Sequence, residues 1–189
     1  LPTSAGTSGT SAARNAGEVL TVAINGATYE ATPDSSGDWS IDLATEAPAS
    51  GTLGAFAEGT YAITATVTDE AGNATSDTTI NELVVDTTAP SAPTVDALVA
   101  DSTTPTITGT AILGDGETLT VTVDGTTYSS TTGDVTVVGN DWSLDLSAVT
   151  PSVTLADDTY EVTATSTDAA TNAVNDSTTE ELVVDTTAP

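Results

Sequence analysis

Apolar and polar residues alternate with a period of two along most of the chain. In TLTVTVDGTTY (residues 118–128), Leu and Val occupy one side of an extended strand and Thr the other. Val and Thr are β-branched and favour strands. Asn25-Gly26 and Asp124-Gly125 each separate two such runs, which predicts hairpins with type I′ turns. No window carries a helical stripe, so we expect an all-β protein of antiparallel β-sandwiches.

The pattern repeats about every hundred residues. Glu58–Pro90 and Asp157–Pro189 share 21 identities in 33 gapless positions, and both end in LVVDTTAP. GEVLTVAINGATY and GETLTVTVDGTTY, which begin at Gly17 and Gly116, keep the same spacing of 99 residues, whereas DWSIDL and DWSLDL are 103 apart. The sequence therefore predicts two tandem domains joined end to end, residues 1–88 and 89–189. The first lacks a counterpart of Ser91–Pro105, so its N-terminal strand is expected to be truncated.

If the second copy takes the strand order of an immunoglobulin domain, it divides into seven runs. We predict strands at Thr94–Val99, Thr106–Ile112, Thr118–Asp124, Thr126–Thr131, Trp142–Leu146, Thr159–Thr167 and Ala173–Val184.

Two tyrosines support this order. GTYAI and DTYEV place Tyr61 and Tyr160 two residues before an apolar position, where immunoglobulin domains have a corner tyrosine before a cysteine. Ile63 and Val162 would take the place of that cysteine. We expect Trp39 and Trp142, each in a short alternating run, to fill the core rather than stack on sugars.

The segments VTDEAGNATSD…VVDTTAP and STDAATNAVND…VVDTTAP, together with DWS, resemble bacterial Ig-like tandem repeats of large secreted surface adhesins of the repeats-in-toxin or biofilm type. The resemblance implies an extracellular string of sandwich domains on the bacterial cell surface, acting in cell adhesion or biofilm formation and often stiffened by calcium at the joints. Thr171 departs from the pattern, because it stands where a glycine is expected.

Composition excludes several classes of function. The chain has 28 Asp and Glu, one Arg, no Lys and no His, giving a net charge of -27. Nucleic acid needs Lys and Arg, and anionic lipid would repel such a chain. With no Cys, disulfides and thiolate sites are excluded, and without His, Cys or Lys we expect no enzyme. No stretch is apolar enough to span a membrane and no signal peptide is recognisable, so we expect no membrane insertion.

The acidic residues suggest a metal site. Topology would bring three segments to the end at which the chain enters the second domain: VVDTT, LGDGE and DAATN. Calcium prefers six to eight oxygen ligands. The same residues are ordinary turn formers, so turn chemistry remains the alternative for each of them. The candidate ligands are Asp86, Thr87, Asp115, Glu117, Asp168 and Asn172.

The first copy offers a weaker site. Glu18, Asp69 and Asn73 recur there, but Ala16, beside Arg14 and Asn15, replaces the aspartate of LGDGE. Asp185 would form half of a further joint with a following domain.

Two functions from different classes follow. In the first, the chain is a structural extender of a giant extracellular adhesin, with bound Ca2+ stiffening the joint; its partners would be neighbouring repeats, and it would be a monomer. In the second, it is a module that binds a carbohydrate or partner protein, which requires an exposed apolar patch. Contact between rods through shared calcium is a third possibility.

Overall fold

The computed structural model describes residues 6–10, by their backbone, and residues 17–189. Within these residues the regular structure is entirely β, with no helix, which confirms the predicted fold class. The chain divides into two compact units between Asp86 and Thr87, two residues before the predicted boundary. Each unit is described by itself below.

The described residues of unit 1 form nine strands in three antiparallel sheets. Their orders are β5-β3-β2-β7-β8, β6-β9 and β1-β4. The strands are β1 (Gly6–Thr10), β2 (Val19–Ile24), β3 (Ala27–Ala31), β4 (Asp38–Asp42), β5 (Ser50–Gly51), β6 (Gly59–Tyr61), β7 (Ile63–Thr68), β8 (Ala74–Ser76) and β9 (Leu83–Val85).

Unit 2 contains eleven strands, again in three sheets. Their orders are β10-β12-β16-β15, β14-β13-β18-β19 and β11-β20-β17. The strands are β10 (Thr94–Val95), β11 (Leu98–Ala100), β12 (Thr106–Thr110), β13 (Thr118–Val123), β14 (Thr126–Ser129), β15 (Val135–Val138), β16 (Asp141–Asp145), β17 (Asp158–Tyr160), β18 (Val162–Thr167), β19 (Ala173–Asn175) and β20 (Leu182–Val184).

The alternation along the strands produces the core. In β13, Leu119, Val121 and Val123 are all fully buried, while the threonines between them are only partly covered. Trp142 and Trp39 are 2% and 7% exposed, which confirms that both are core residues. Since successive side chains on a strand point to opposite faces, one buried face is enough to specify the register.

Three predicted strands are wrong as single elements, because each is broken and its halves join different sheets. The first pairs antiparallel with β12 through β10 and then parallel with β20 through β11. The sixth breaks at Glu161 into β17 and β18. The last divides into β19 and β20, separated by residues 176–181. At Glu161 the alternation of apolar and polar residues continues through the break, from Tyr160 to Val162, so the sequence pattern does not reveal it. Residues 176–181 are all polar, so this break did leave a signal in the sequence.

The residues by which the two copies differ in length form edge strands as well as loops. In unit 2 the residues inserted before Trp142 include β15, which pairs antiparallel with β16 and was not predicted. In unit 1 the additional residues after Trp39 include β5, which pairs with β3.

Local predictions about turns are confirmed. Asn25 and Gly26 have φ of 44° and 88°, and Asp124 and Gly125 have 48° and 73°. Positive φ at both central residues is what a type I′ hairpin needs.

The tyrosine corners are also present in both units. The Tyr160 hydroxyl accepts from the backbone N of Ala156 at 3.0 Å and donates to its carbonyl at 3.2 Å. The Tyr61 hydroxyl makes the same pair of bonds with Ala57, at 2.8 and 3.0 Å. The predicted immunoglobulin-type corner is therefore confirmed.

Candidate functional site

The turn between β18 and β19 is closed by a carboxylate. Asp168 Oδ1 accepts from the backbone N of Asn172, and Oδ2 accepts from its side-chain Nδ2, both at 2.8 Å. The side-chain amide is the largest cause that holds the pKa of Asp168 below its ordinary 3.8. Asp69 and Asn73 form the same two bonds in unit 1, again lowering the pKa of the aspartate.

The turn before β13 lies against this one. Glu117 Oε2 accepts from the backbone N of Gly114 at 2.8 Å, and a Cβ built on Gly116 would lie 3.8 Å from that of Ala169. Residues 114–117 and 168–172 are therefore neighbours, as the predicted topology requires, and we call them the paired turns. In unit 1 the same approach occurs between Gly17 and the carboxylate of Glu70.

Unit 2 thus brings four of the predicted ligands together: Asp115, Glu117, Asp168 and Asn172. Asp115 is exposed, and the other three are half-buried. Within residues 17–189 no three acidic side chains are grouped closely enough to form a metal-binding cluster by themselves. A cation at the paired turns would therefore require additional oxygens from backbone or water, and calcium stays a prediction.

The remaining predicted ligands lie outside the paired turns of unit 2. Half-buried Asp86 follows β9 at the end of unit 1, and exposed Thr87 begins unit 2. Half-buried Glu18 precedes β2, and exposed Asp185 follows β20. The substitution at Ala16, with Arg14 and Asn15, lies outside the described residues.

The second octet binds a residue that sequence reasoning missed. Asp157 Oδ1 accepts from the backbone N and hydroxyl of Thr186 at 3.0 and 2.7 Å, and Oδ2 accepts from the hydroxyl of Thr187 at 2.8 Å. The side chain of Thr186 is the largest cause that lowers the pKa of Asp157. Asp185 also accepts from the backbone N of Thr187. The two threonines of the octet are therefore held against the start of β17.

Other carboxylates replace missing strand hydrogen bonds. Asp176 Oδ1 accepts from the backbone N of Ala164 at 2.8 Å, while its own N donates to the Ala164 carbonyl. Asp77 binds Ala65 in the same way in unit 1. Glu181, only 6% exposed, accepts from the backbone N of Val162 at 3.1 Å. The sequence could have indicated these roles, because the same acids recur at equivalent positions in both copies. Residues that recur in this way keep the same structural role.

The chain is similar to a known protein family and to solved structures. Residues 7–87 match the family model described as bacterial Ig-like domain. The chain is similar, at 29% identity, to a solved chain from work on host cell surface retention of a 1.5-MDa bacterial ice-binding adhesin; the match covers 96% of this chain and 58% of that one, with a TM-score of 0.43. No curated protein matches the chain, and no helix in the described part is long and apolar enough to cross a membrane. The family match over residues 7–87 agrees with the resemblance to bacterial Ig-like repeats that the sequence indicated.

Proposed function

We propose that the chain is a spacer segment of a large extracellular bacterial adhesin, whose tandem domains are stiffened by calcium at the joint. The observation that carries the proposal is the hydrogen bonding of the octet in unit 2. Because Asp157 holds both threonines, the chain leaves the domain from a fixed place after β20. A spacer needs such a defined exit, since a freely jointed linker would let the next domain swing.

The repetition of structural devices supports a spacer over a module with a specialised binding face. Both copies contain the closed aspartate turn, the tyrosine corner and a glutamate that spans a break in a strand. Both tryptophans are buried, so neither offers a ring for stacking on a sugar. The carbohydrate-binding alternative would therefore have to use aromatic rings other than those of the tryptophans.

The calcium part of the proposal rests on the chemistry of the paired turns. A carboxylate has about four lone-pair sites, so Asp168 can bind Asn172 and still offer sites to a cation. Exposed Asp115 lies in the other of the two paired turns, and Asp86 and Thr87 would supply linker oxygens. Calcium accepts this mixture of carboxylate, carbonyl and water ligands. It would also offset the self-repulsion of a chain with a net charge of -27.

Thermal unfolding in EDTA, millimolar calcium and millimolar magnesium tests the metal. The informative variant is Asp115→Asn, and its matched control is Asp124→Asn. The control makes the same charge change in a hairpin where unit 1 already has Asn25 with a similar φ. A ligand at about a hundred times its Kd stabilises the folded state by about 2.7 kcal/mol. We expect calcium alone to raise the midpoint of unit 2, and Asp115→Asn to remove most of that rise while the control keeps it.

Small-angle X-ray scattering tests the spacer. Calcium should increase the maximum dimension of the two-unit chain and narrow the distribution of distances within it, and Asp115→Asn should abolish both effects. Equal midpoints and equal scattering in EDTA and calcium would refute the calcium joint. A calcium-independent extended particle would still support a spacer, whereas a compact particle in every buffer would refute it.

A further inference from the structure

Residues 50–55 of unit 1 lie over the hairpin turn formed by Asn25 and Gly26. The side-chain Nδ2 of Asn25 donates to the backbone carbonyls of Gly54 at 2.9 Å and Ala55 at 3.3 Å. In return, the backbone N of Gly54 donates to the Asn25 carbonyl at 2.9 Å, and the backbone N of Thr52 donates to the Gly26 carbonyl at 3.2 Å. We call residues 50–55 the cover, and these four hydrogen bonds fasten it to the turn.

Two glycines allow the cover to lie this close to the turn. A Cβ built on Gly51 would collide with the Gly26 carbonyl, and Gly51 also has a positive φ of 77°. A Cβ on Gly54 would lie 3.1 Å from the Nδ2 and 3.2 Å from the Oδ1 of Asn25. Glycine permits such a close approach of backbone to another group because it has no side chain. The cover therefore fits this turn closely, and a methyl group at Gly54 would press on the Asn25 amide.

The equivalent turn in unit 2 has a similar backbone shape but is open. Asp124 and Gly125 have φ of 48° and 73°, close to the values at Asn25 and Gly26. A Cβ on Gly125 would meet no atom of the described residues within 4 Å, whereas one on Gly26 would lie 3.1 Å from the carbonyl of Thr52. Asp124 is exposed and Asn25 is half-buried. The covered turn thus has a side chain with N–H groups to donate, which a carboxylate lacks.

The covered turn also contains a chemically labile pair of residues. Asparagine is thermolabile, and Asn25-Gly26 is the one Asn-Gly pair in the chain. Because glycine has no side chain to shield its backbone N, the Gly26 N can attack the side-chain Cγ of Asn25. A new N–C bond then forms, the C–N bond of the amide breaks, and the N–H proton leaves with the amide as ammonia. Water opens the resulting cyclic imide at either carbonyl and yields aspartate or isoaspartate, so water is the co-reactant and no electrons are transferred.

We propose that Asn25 is a deamidation site and that its conversion releases the cover from the turn. While two carbonyls hold the Asn25 amide, the side chain cannot turn toward the Gly26 N, so the reaction occurs in molecules whose cover has opened locally. After conversion, a carboxylate would face those two carbonyl oxygens with no proton to donate, and it favours water instead. The cover then cannot close again. Asn25 is therefore a latch that opens once, and this inference is independent of the spacer function and of calcium.

Incubation of the whole chain in mildly alkaline buffer tests the reaction, with peptide mapping by mass spectrometry to locate it. We expect conversion at Asn25 before any other asparagine. Gly54→Ala presses on the amide and should speed this conversion about fivefold, the factor that corresponds to one hydrogen bond of ordinary net strength. Thr52→Ala is the matched control, because it changes an exposed side chain of the cover and leaves the backbone in place. It should convert at the rate of the wild type.

Asp124→Asn provides a comparison within one molecule. It places the same labile pair in the open turn of unit 2, where the backbone has a similar φ. Conversion at residue 124 should be faster than conversion at Asn25 of the same chain.

The release of the cover is measured in Asn25→Asp, which has the side chain of the reaction product. Hydrogen exchange of the backbone N–H groups of Thr52 and Gly54 should become at least tenfold faster, because both groups donate to the covered turn. Exchange in unit 2 should be unchanged.

Three results would overturn the proposal. In the first, Asn25 converts no sooner than the other asparagines. In the second, Gly54→Ala does not speed conversion and residue 124 in Asp124→Asn converts no faster than Asn25, so the cover does not control the reaction. In the third, Asn25→Asp leaves hydrogen exchange at Thr52 and Gly54 unchanged.

Discussion

Glu181 connects two strands that the backbone alone leaves unconnected. Its Oε2 accepts from the backbone N of Val162, immediately after the break at Glu161, and its own carbonyl accepts from the backbone N of Leu98 in β11 at 2.7 Å. The side chain is 6% exposed, and Val162 is fully buried. Glu181→Ala would therefore leave the Val162 N–H without its acceptor and without ready access to water.

The expected cost follows from this burial. An unsatisfied buried N–H costs about 1–3 kcal/mol. Glu181 Oε1 is itself buried without a hydrogen-bond partner. Removing this atom relieves an existing cost, so it offsets part of the stability lost at Val162. We expect a net loss of about 2 kcal/mol, which corresponds to a midpoint roughly 8–16 °C lower for a domain of this size. Glu181→Gln keeps one acceptor oxygen and should lower the midpoint by less than half as much.

Glu82 provides the matched control, since its Oε2 accepts from the backbone N of Ile63 at 2.9 Å in unit 1. Glu82 is exposed, so water can replace it in Glu82→Ala and the loss should be smaller.

Tryptophan fluorescence in Trp39→Phe and Trp142→Phe backgrounds would follow each unit separately during thermal unfolding. Equal shifts for the two alanine variants would refute the role of burial. A glutamine variant as unstable as the alanine variant would show that charge, rather than the acceptor atom, is what matters.

Two further predictions concern the turns and the octet. Thr171 has a φ of 72° where unit 1 has Gly72 at 86°; left-handed backbone costs a branched residue about 1–2 kcal/mol, partly offset by the greater entropy of unfolded glycine. Thr171→Gly should therefore raise the unit 2 midpoint by a few degrees in calorimetry, and Gly72→Thr should lower that of unit 1; a lower midpoint for Thr171→Gly would contradict this. The pKa of Asp157 is lowered in the folded state, so its stabilising effect is present above its ordinary 3.8 and is lost as the pH falls through the folded pKa. The difference in unfolding midpoint between wild type and Asp157→Asn should be full at pH 7 and shrink below about pH 3.8. A difference that is the same at pH 7 and below about pH 3.8 would disprove the linkage.

Local chemistry made much of the fold predictable. A type I′ turn needs positive φ, and Asn25-Gly26 provides it within two residues. The corner tyrosines bond to backbone four residues away, so their role also follows from short-range sequence. Repetition added the tandem organisation, because one domain copied twice keeps the same residues in the same places.

The paired turns were only partly predictable. The sequence indicated which acidic turns share an end of unit 2, and the contact between Gly116 and Ala169 agrees. It did not indicate that Asp168 already binds Asn172 through both oxygens, since carboxylates that cap turns and carboxylates that bind metals have the same composition.

The strand class, the hairpins, the repeat and the acidic character follow from the amino-acid sequence alone, because each depends on neighbouring residues or on a simple period. The folded chain is needed to show which sheet each half of a broken strand joins, which acids accept backbone hydrogen bonds, and which tryptophan has a hydrogen-bond partner. Trp39 and Trp142 are in nearly identical local sequences, DWSID and DWSLD. Their difference is a carbonyl from a strand 48 residues away from Trp142 along the chain, and only the folded structure brings that strand to the ring.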